Sequence, residues 1–235
     1  ESLCYRERHF SRRFDPCCWC VSGLVRPVRS PGRLSQNTRP SRWEDLLRQA
    51  YKIIDHVNRD HELLTTWTFG GGTAMMLQIH HRESHDIDLF LEDPQLLPYV
   101  TAAVAELEFD IGAPSYNGDG TGHLKISFEG VGEIDFIVTG HILDPYAGTT
   151  EILNRAVELE TIPEIIAKKV RFRGASIQPR DVFDIAAASN AGHEESIREA
   201  LSEIPDYRDA DADSRHGLGW RAINLQCHRW SNGRG

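Results

Sequence analysis

Two aspartates separated by one residue, Asp86 and Asp88, lie in an apolar run that reads Asp-Ile-Asp-Leu-Phe-Leu. On a β-strand, residues two apart point to the same side, so both carboxylates are expected on one face while Ile87 and Leu89 face a core. Two carboxylates about 6.7 Å apart repel each other by roughly 2–3 kcal/mol at an effective dielectric constant near 20. Magnesium prefers oxygen ligands and often binds together with substrate phosphates, so it suits such a pair. The spacing predicts a metal site, and the apolar flanks disfavour the alternative of a solvated strand edge.

A third carboxylate lies in a second apolar strand pattern. Asp135 stands between Ile134 and Phe136, and Glu133 is on the same face. An acid inside so apolar a strand is unfavourable unless it is paired or bound to a metal. Three carboxylates could hold two magnesium ions that stabilise the attacking and leaving oxygens of an in-line phosphoryl displacement. Asp135 could also accept the proton of the nucleophile.

A phosphate cradle is predicted just upstream of the aspartates. Gly70, Gly71 and Gly72 separate a β-prone segment from a helix-prone one. Without Cβ atoms they allow a sharp turn and a close ligand approach, and the start of the following helix offers free N–H groups and a positive dipole end. Thr73 could cap that helix or bond a phosphate oxygen. Taken alone, the glycines could equally form a plain strand-to-helix turn.

Lysine usage points to a second phosphate-binding element. The chain has four lysines and twenty-two arginines, and two of the lysines, Lys168 and Lys169, are adjacent on a predicted helix. Ile162, Ile165 and Ile166 share a face with Lys169 by three- and four-residue spacing, which places a compact positive charge on an apolar stripe. Lys168 is then expected to point outward. The alternative for Lys169 is a stem that lies along apolar surface with its ammonium group in water.

Other polar residues flank these motifs. Arg82 and Ser84 lie between the glycines and the aspartates, where Arg82 could clamp a phosphate or pair with Glu83. Asp181 follows a proline at a predicted helix start, where an acid favours the helix dipole. Asp184 comes one turn later and is expected to be a helix-surface or structural acid.

The order of these motifs resembles that of the AbiEii/AbiGii-type nucleotidyltransferases, a toxin-like branch of the DNA polymerase β-like superfamily. The resemblance covers roughly residues 43–207 and rests on Gly-Gly-Thr, His-Arg-x-Ser-x-Asp-Ile-Asp-Leu-Phe, an Ala-Lys-Lys helix and an Arg-Asp-Val-Phe-Asp helix. It implies an α+β fold, with helices packed on a mixed sheet, that transfers a nucleoside monophosphate from an NTP to an acceptor hydroxyl. Related members act on tRNA or on proteins, so the acceptor stays open. A toxin of a bacterial toxin–antitoxin or abortive-infection system would also have a cognate antitoxin.

The resemblance assigns a role to each candidate residue. The expected nucleotide-binding residues are Gly71, Gly72, Thr73, Arg82, Ser84, Lys168 and Asp181, the last of which would orient Lys169. The expected catalytic residues are Asp86, Asp88, Asp135 and Lys169, and the three aspartates are also the expected magnesium ligands.

Two other functions are compatible with the residues. A non-catalytic regulatory module could keep the fold and bind NTP, although a pure NTP binder needs fewer carboxylates. His80, His81 and His85 lie beside the aspartates and could bind zinc in a metal-dependent hydrolase. However, His80 and His81 are neighbours on a helix end and diverge, and no His-x-x-x-His pair is fixed on a predicted helix.

Composition sets the remaining expectations. A chain of 235 residues with a formal charge of −9 suits one domain with extensions and argues against broad nonspecific nucleic-acid binding, but it leaves room for a local basic groove. No apolar run approaches about 18 residues, so we expect no membrane association through a spanning helix. The cysteines favour reduced thiols and a cytoplasmic location. We predict an Arg- and Cys-rich extension, disordered or non-native, at 1–41, a nucleotidyltransferase domain at 42–207, and an irregular C-terminal tail at 208–235.

The predicted elements place the candidate residues on strand ends and helix starts. We expect helices at 42–59, 74–79, 96–108, 163–173, 180–191 and 194–203, a hairpin of strands 123–128 and 133–138, and further strands at 66–69, 86–91 and 155–160.

Overall fold

A computed structural model describes residues 40–204 of the chain. The predicted tail at 208–235, and all but the last two residues of the predicted extension at 1–41, lie outside the described residues. The elements in chain order are α1 (Trp43–Val57), β1 (Trp67–Gly70), α2 (Gly71–Ile79), β2 (Ile87–Leu91), α3 (Leu97–Glu106), β3 (Ser115–Gly118), β4 (His123–Phe128), β5 (Gly132–Val138), β6 (Ala147–Ile152), β7 (Arg155–Glu160), α4 (Ile162–Arg173), α5 (Pro179–Ala188) and α6 (Glu194–Ser202).

The strands form one mixed sheet in the order β3-β4-β5-β2-β1-β7-β6. The pairs β2–β5 and β1–β7 are parallel and the other neighbours are antiparallel. Helices pack on this sheet, so the fold is the α+β fold with a mixed sheet that the sequence predicted. Among the helices of residues 40–204, none combines the length and the apolar character needed to span a bilayer. The cytoplasmic location stays a prediction.

The two faces of the central strands differ in chemistry. On β2, Ile87, Leu89 and Leu91 are fully buried in the core, while Asp88 and Phe90 alternate with them on the opposite face. The helices α1 and α3 pack on the apolar face, and α1 buries a stripe along its length. The buried apolar residues of α1 include Leu46, Leu47, Ala50, Ile53 and Ile54. The helix α4 covers part of the polar face. The ammonium of its Lys168 lies 4.0 Å from the centre of the Phe90 ring.

Two strands and several boundaries were not predicted. The strands β3 and β6 are mostly exposed edge strands without apolar alternation, so the sequence pattern carries no strand signal there. The helix predicted to begin at Leu96 begins at Leu97, after a 3₁₀ turn that starts at Pro94. The helix predicted at 180–191 ends at Ala188, where a π-turn and Gly192 at φ +96° kink the chain before α6.

Candidate active site

The acidic pair of the site is set by strand register. Asp88 on β2 stands directly opposite Asp135 on β5, and because the strands are parallel neighbours both side chains lie on the polar face about 4.8 Å apart at the backbone. Asp86 lies one residue before β2, and its Oδ1 accepts a hydrogen bond of 3.2 Å from the backbone N–H of Glu133. The structure therefore brings together all three predicted carboxylates at the beginning of β2 and the middle of β5.

The charge of this pair is poorly compensated. Burial, followed by the negative charge of Asp135, raises the pKa of Asp88 to about 6, although Lys169 opposes the shift. Burial also raises the pKa of Asp135, against a hydrogen bond from His123. A bound cation would stabilise the ionised forms of two neighbouring carboxyls whose pKa values are raised. Carboxylate oxygens are ligands that magnesium prefers.

The glycine turn lies against these acids. Gly71 opens α2 at φ +69°, and a Cβ atom there would collide with Oδ2 of Asp88. A Cβ atom on Gly72 would lie 2.9 Å from the hydroxyl of Ser84 and 3.0 Å from Nη2 of Arg82. The first N–H groups of α2 are therefore held beside the acidic pair, in the place where a phosphate would be bound at a helix start.

Lys169 reaches the same site from α4. Its Nζ lies 3.3 Å from Asp181 and 3.1 Å from Asp184, two acids of α5 that are fully buried. Asp181 also accepts a bond of 3.1 Å from Arg173 and one of 3.0 Å from the backbone N–H of Gln178, which forms a capping box at the start of α5. The side chain of Lys169 is only 11% exposed, so these acids fix where its charge lies.

The family of this chain follows from a family model. The model described as nucleotidyl transferase AbiEii toxin, type IV toxin–antitoxin system, matches residues 52–219, which is more than half of the chain. The chain belongs to this nucleotidyltransferase family. The match spans every element from β1 to α6 and confirms the resemblance drawn from the motifs.

The chain is also similar to solved structures of nucleotidyltransferases. The toxin MenT4 from Mycobacterium tuberculosis H37Rv aligns with 17% identity and a TM-score of 0.46 over 68% of this chain and 64% of that one. The lincosamide antibiotic adenylyltransferase LnuA, solved with lincomycin bound, aligns with 15% identity and a TM-score of 0.45 over 64% of this chain and 98% of that one. No curated protein sequence matches this chain. The family assignment rests on the family model.

In this AbiEii-family chain, Arg82 pairs with Asp184 and not with the carboxylate of Glu83, while its contact with a phosphate stays a prediction. Its Nε and Nη2 donate to the two oxygens of Asp184 at 2.6 and 3.0 Å, while Nη1 donates to the backbone carbonyl of Glu83. Asp184 is thus a structural acid at the centre of the site and not on a helix surface. Although burial alone would raise it, the pKa of Asp184 is held below its usual value by the hydrogen bond from Arg82 and the charge of Lys169.

Thr73 links the glycine turn to the aspartates. Its side chain is fully buried, and its hydroxyl donates to the backbone carbonyl of Asp86. The N-cap of α2 is Gly70, so the predicted capping role of Thr73 is wrong. The hydroxyl fixes the start of β2 against α2, which keeps the acids and the turn in register.

Lys168 does not point outward as predicted. It is 5% exposed, and its Nζ lies 2.5 Å from Glu160 and 3.5 Å from Glu164, both fully buried. The prediction failed because α4 is buried on more than one side: Glu164 and Lys168 are buried as well as Ile162, Ile165 and Ile166. Lys168 stays a predicted nucleotide-binding residue, but its observed partners are structural.

The histidine cluster is dispersed. His81 is buried and its Nε2 lies 3.0 Å from Asp184, and burial lowers its pKa. His80 is the C-cap of α2 in the left-handed conformation. Within residues 40–204 no group of three His, Cys, Asp or Glu side chains is arranged to hold a metal ion by itself. The three histidines therefore do not form a zinc site, and a magnesium ion at the acidic pair would need phosphate oxygens as additional ligands.

Two residues beside the acids were missed in the sequence. Nε2 of His123 lies 2.8 Å from Oδ1 of Asp135, and Nζ of Lys125 lies 2.5 Å from Glu133 and 3.8 Å from Oδ2 of Asp135. Both lie on β4, where Lys125 is directly opposite Asp135. Since the hairpin of β4 and β5 was predicted, counting back from its turn would have paired Lys125 with Asp135.

Proposed function

We propose that the protein is a magnesium-dependent nucleotidyltransferase that moves a nucleoside monophosphate from an NTP to an acceptor hydroxyl on a tRNA-like RNA or a protein. The observation that carries the proposal is the contact between Gly71 and Asp88, opposite Asp135. A helix start that binds phosphate and an acidic pair that binds a cation are otherwise unrelated features. Their contact supports a single site in which one phosphate group is bound by both.

The reaction follows from this arrangement. The acceptor oxygen forms a bond to the α-phosphorus, the bond to the α,β-bridging oxygen breaks, and pyrophosphate leaves. A divalent ion bound at Asp88 and Asp135 would neutralise charge on the phosphate oxygens. Asp135 accepts the proton of the hydroxyl, for which a carboxylate with a raised pKa is suited.

The triphosphate is held on the other side of Asp88. The N–H groups of Gly71 and Gly72 and the dipole of α2 bind the leaving phosphates, and Lys169 supplies a positive charge. The two buried acids that hold Lys169 fix its position before the substrate arrives. Arg82 lies against Gly72 and is fixed in the same way by Asp184, so it borders the phosphates without needing to rearrange.

The biological role proposed is that of a toxin with a cognate antitoxin. This role is supported by membership of a family described as toxins of type IV toxin–antitoxin systems. An enzyme that modifies a cellular RNA or protein would stop growth when its partner is absent. Growth arrest on expression of the wild-type chain, but not of a catalytically inactive variant, is the expected result.

The activity is tested by label transfer. The protein is incubated with each α-labelled NTP, magnesium, and cellular RNA or protein, and compared with Asp86→Ala/Asp88→Ala. The matched control is Asp55→Ala/Asp110→Ala, which removes two carboxylates that are 66% and 75% exposed outside the site. Label that requires Asp86 and Asp88 supports the proposal. Magnesium-dependent NTP binding without transfer to any RNA or protein would overturn it and favour the regulatory module.

A further inference from the structure

The direction from which the acceptor arrives is set by the order of the strands. In an in-line displacement the attacking and leaving oxygens lie on opposite sides of the phosphorus. The leaving pyrophosphate is bound by the glycine turn, which follows β1 on one side of β2. The acceptor must then approach from the other side of β2, where β5 and β4 follow in the sheet.

On that side, β4 presents two polar side chains next to Asp135. His123 and Lys125 are two residues apart, so they share the polar face, and each side chain is 40% exposed. Their contacts with Asp135 and Glu133 hold them at the edge of the acidic pair while leaving part of each side chain open to a ligand. Neither residue has a place in the cradle or in the metal site proposed above.

The chemistry of these side chains favours an anion. The side chain of Lys125 is an ammonium group at neutral pH, and it lies 2.5 Å from Glu133 with 40% of the side chain exposed. The chain has a formal charge of −9 and four lysines. A lysine beside the position of the attacking oxygen is therefore unusual in this sequence. An ammonium beside the acidic pair would attract the phosphate that lies next to the reacting hydroxyl of an RNA strand. A serine or tyrosine hydroxyl of a protein acceptor has no such phosphate beside it, so a protein acceptor would not require the ammonium.

We propose that His123 and Lys125 form the acceptor subsite and bind the phosphate that flanks the reacting hydroxyl at the end of an RNA strand. The inference rests on the proposed function, because it uses the in-line geometry of nucleotidyl transfer. It selects RNA over protein as the acceptor. The two residues are specificity-determining residues that contact the acceptor and not the NTP.

The test measures RNA binding apart from catalysis. A fluorescein-labelled 12-nucleotide single-stranded RNA is titrated with the whole chain in magnesium without NTP, so that no transfer can occur. Lys125→Met and His123→Gln are each expected to weaken binding about five- to tenfold, the loss expected for one charge-assisted contact that is partly exposed. For Lys125→Met, the slope of log affinity against log salt is expected to fall by about 0.7.

Matched controls separate a contact from a general loss of charge. Lys52→Met removes a lysine that is 38% exposed and paired with Asp110, and His141→Gln removes a histidine that is 38% exposed and paired with Glu92. Both controls are expected to bind RNA within twofold of the wild type. Lys125→Arg keeps the charge and is expected to restore most of the binding.

The phosphate itself is tested with a second probe. In this RNA the last internucleotide phosphate is replaced by an uncharged methylphosphonate. If Lys125 contacts that phosphate, the wild type loses affinity with the modified RNA and Lys125→Met loses nothing more. Independent, additive losses would overturn the subsite, as would equal binding by Lys125→Met and Lys52→Met.

Transfer kinetics distinguish failure of the subsite from failure of the proposed function. With RNA as acceptor, Lys125→Met is expected to raise the KM for RNA about tenfold and to leave the KM for NTP unchanged, since the cradle lies on the other side of Asp88. If RNA binding depends on Lys125 but no label is transferred, the proposed nucleotidyltransferase activity is wrong and the RNA-binding subsite is supported. If label is transferred to protein but not to RNA, the RNA-binding subsite is wrong and the proposed nucleotidyltransferase activity is supported.

Discussion

The backbone of Gly71 lies against the carboxylate of Asp88, with no space for a side chain between them. This contact joins the two halves of the site, since Gly71 begins α2 and Asp88 lies on the neighbouring strand β2. Gly71 is in the left-handed conformation at φ +69°, which glycine adopts without strain. Two independent constraints therefore require glycine at this position.

Gly71→Ala is expected to reduce NTP affinity at least tenfold. The added methyl group would displace Asp88 or turn the first N–H group of α2 away from the phosphate. The free energy of unfolding is expected to fall by more than the roughly 1 kcal/mol that the left-handed conformation alone costs an alanine. Nucleotide titration in magnesium and chemical denaturation measure the two effects.

The matched control is Gly120→Ala. Gly120 lies at φ +79° with nothing within 4 Å of an added Cβ atom, so it isolates the backbone strain from the collision. It is expected to lose about 1 kcal/mol of stability and to bind NTP normally. Equal losses of stability in both variants, with NTP affinity intact, would mean that Gly71 does not shape the cradle.

Asp88→Asn is expected to stabilise the metal-free protein at neutral pH. The folded-state pKa of Asp88 is about 6 and the ordinary value is 3.8, so the folded state binds this proton more tightly than the unfolded state. The contribution of Asp88 to stability is therefore full below about pH 4 and is lost as the pH rises through 6. Above pH 7 the variant should be more stable than the wild type by about 1–3 kcal/mol.

Denaturation in EDTA at pH 4.5 and 7.5 measures this difference. The gain should be small at pH 4.5, where the wild-type carboxyl is mostly protonated, and larger at pH 7.5. Magnesium with NTP should stabilise the wild type and not the variant. A variant that is less stable than the wild type at pH 7.5 in EDTA would contradict the view that Asp88 is poorly compensated.

The acids were predictable because their signal is local. The alternation in Asp86-Ile87-Asp88 and Glu133-Ile134-Asp135 places each acid on the polar face of its own strand, whatever the rest of the fold does. What the pattern cannot give is the register between strands. Asp88 faces Asp135 only because β2 and β5 pair in parallel across a long stretch of chain.

The supports of the site were less predictable because they depend on tertiary packing. Asp184 pairs with Arg82 across 102 residues, and no helical period on α5 reveals such a partner. Lys168 was placed outward by the apolar stripe of α4, but that helix is enclosed on two sides, so a single stripe does not describe it. Lys125 was predictable in principle from the hairpin register and was missed.

Asp184→Ala is expected to destabilise the protein by about 3–5 kcal/mol. The change removes the buried counter-charge of Arg82 and one of the two buried acids that pair with Lys169, which then keeps only Asp181. An unpaired buried charge is costlier than the loss of the pair itself. Asp184→Asn keeps a hydrogen-bond acceptor and should lose less stability. Both variants are expected to weaken NTP binding, because Lys169 and Arg82 are no longer fixed beside the cradle.

The control for Asp184 is Asp45→Ala. Asp45 pairs with Arg42 on the surface, with side chains 41% and 46% exposed, and exposed ion pairs contribute between 0 and about 1 kcal/mol. Denaturant unfolding of the two variants under the same conditions gives the comparison. If Asp184→Ala were as stable as Asp45→Ala or more stable, Asp184 would not organise the site.

The two adjacent lysines of α4 are expected to have different roles, Lys168 in stability and Lys169 in NTP binding. Lys168→Met leaves Glu160 and Glu164 buried without a counter-charge, so the free energy of unfolding should fall by about 3–5 kcal/mol. Lys169→Met should cost less stability, because Arg173 still pairs with Asp181 and Arg82 with Asp184, but it should weaken magnesium-dependent NTP binding about tenfold.

A second substitution, at Glu160, separates a structural role of Lys168 from a role in nucleotide binding. Burial raises the pKa of Glu160, and the charge and hydrogen bond of Lys168 oppose this shift, so the lysine is the main group that favours the ionised carboxylate. Adding Glu160→Gln to Lys168→Met should therefore recover much of the lost stability and leave NTP affinity near that of the wild type. If Lys168→Met instead lost NTP binding with its stability unchanged, Lys168 would contact the nucleotide and the structural role argued for its ammonium would be wrong.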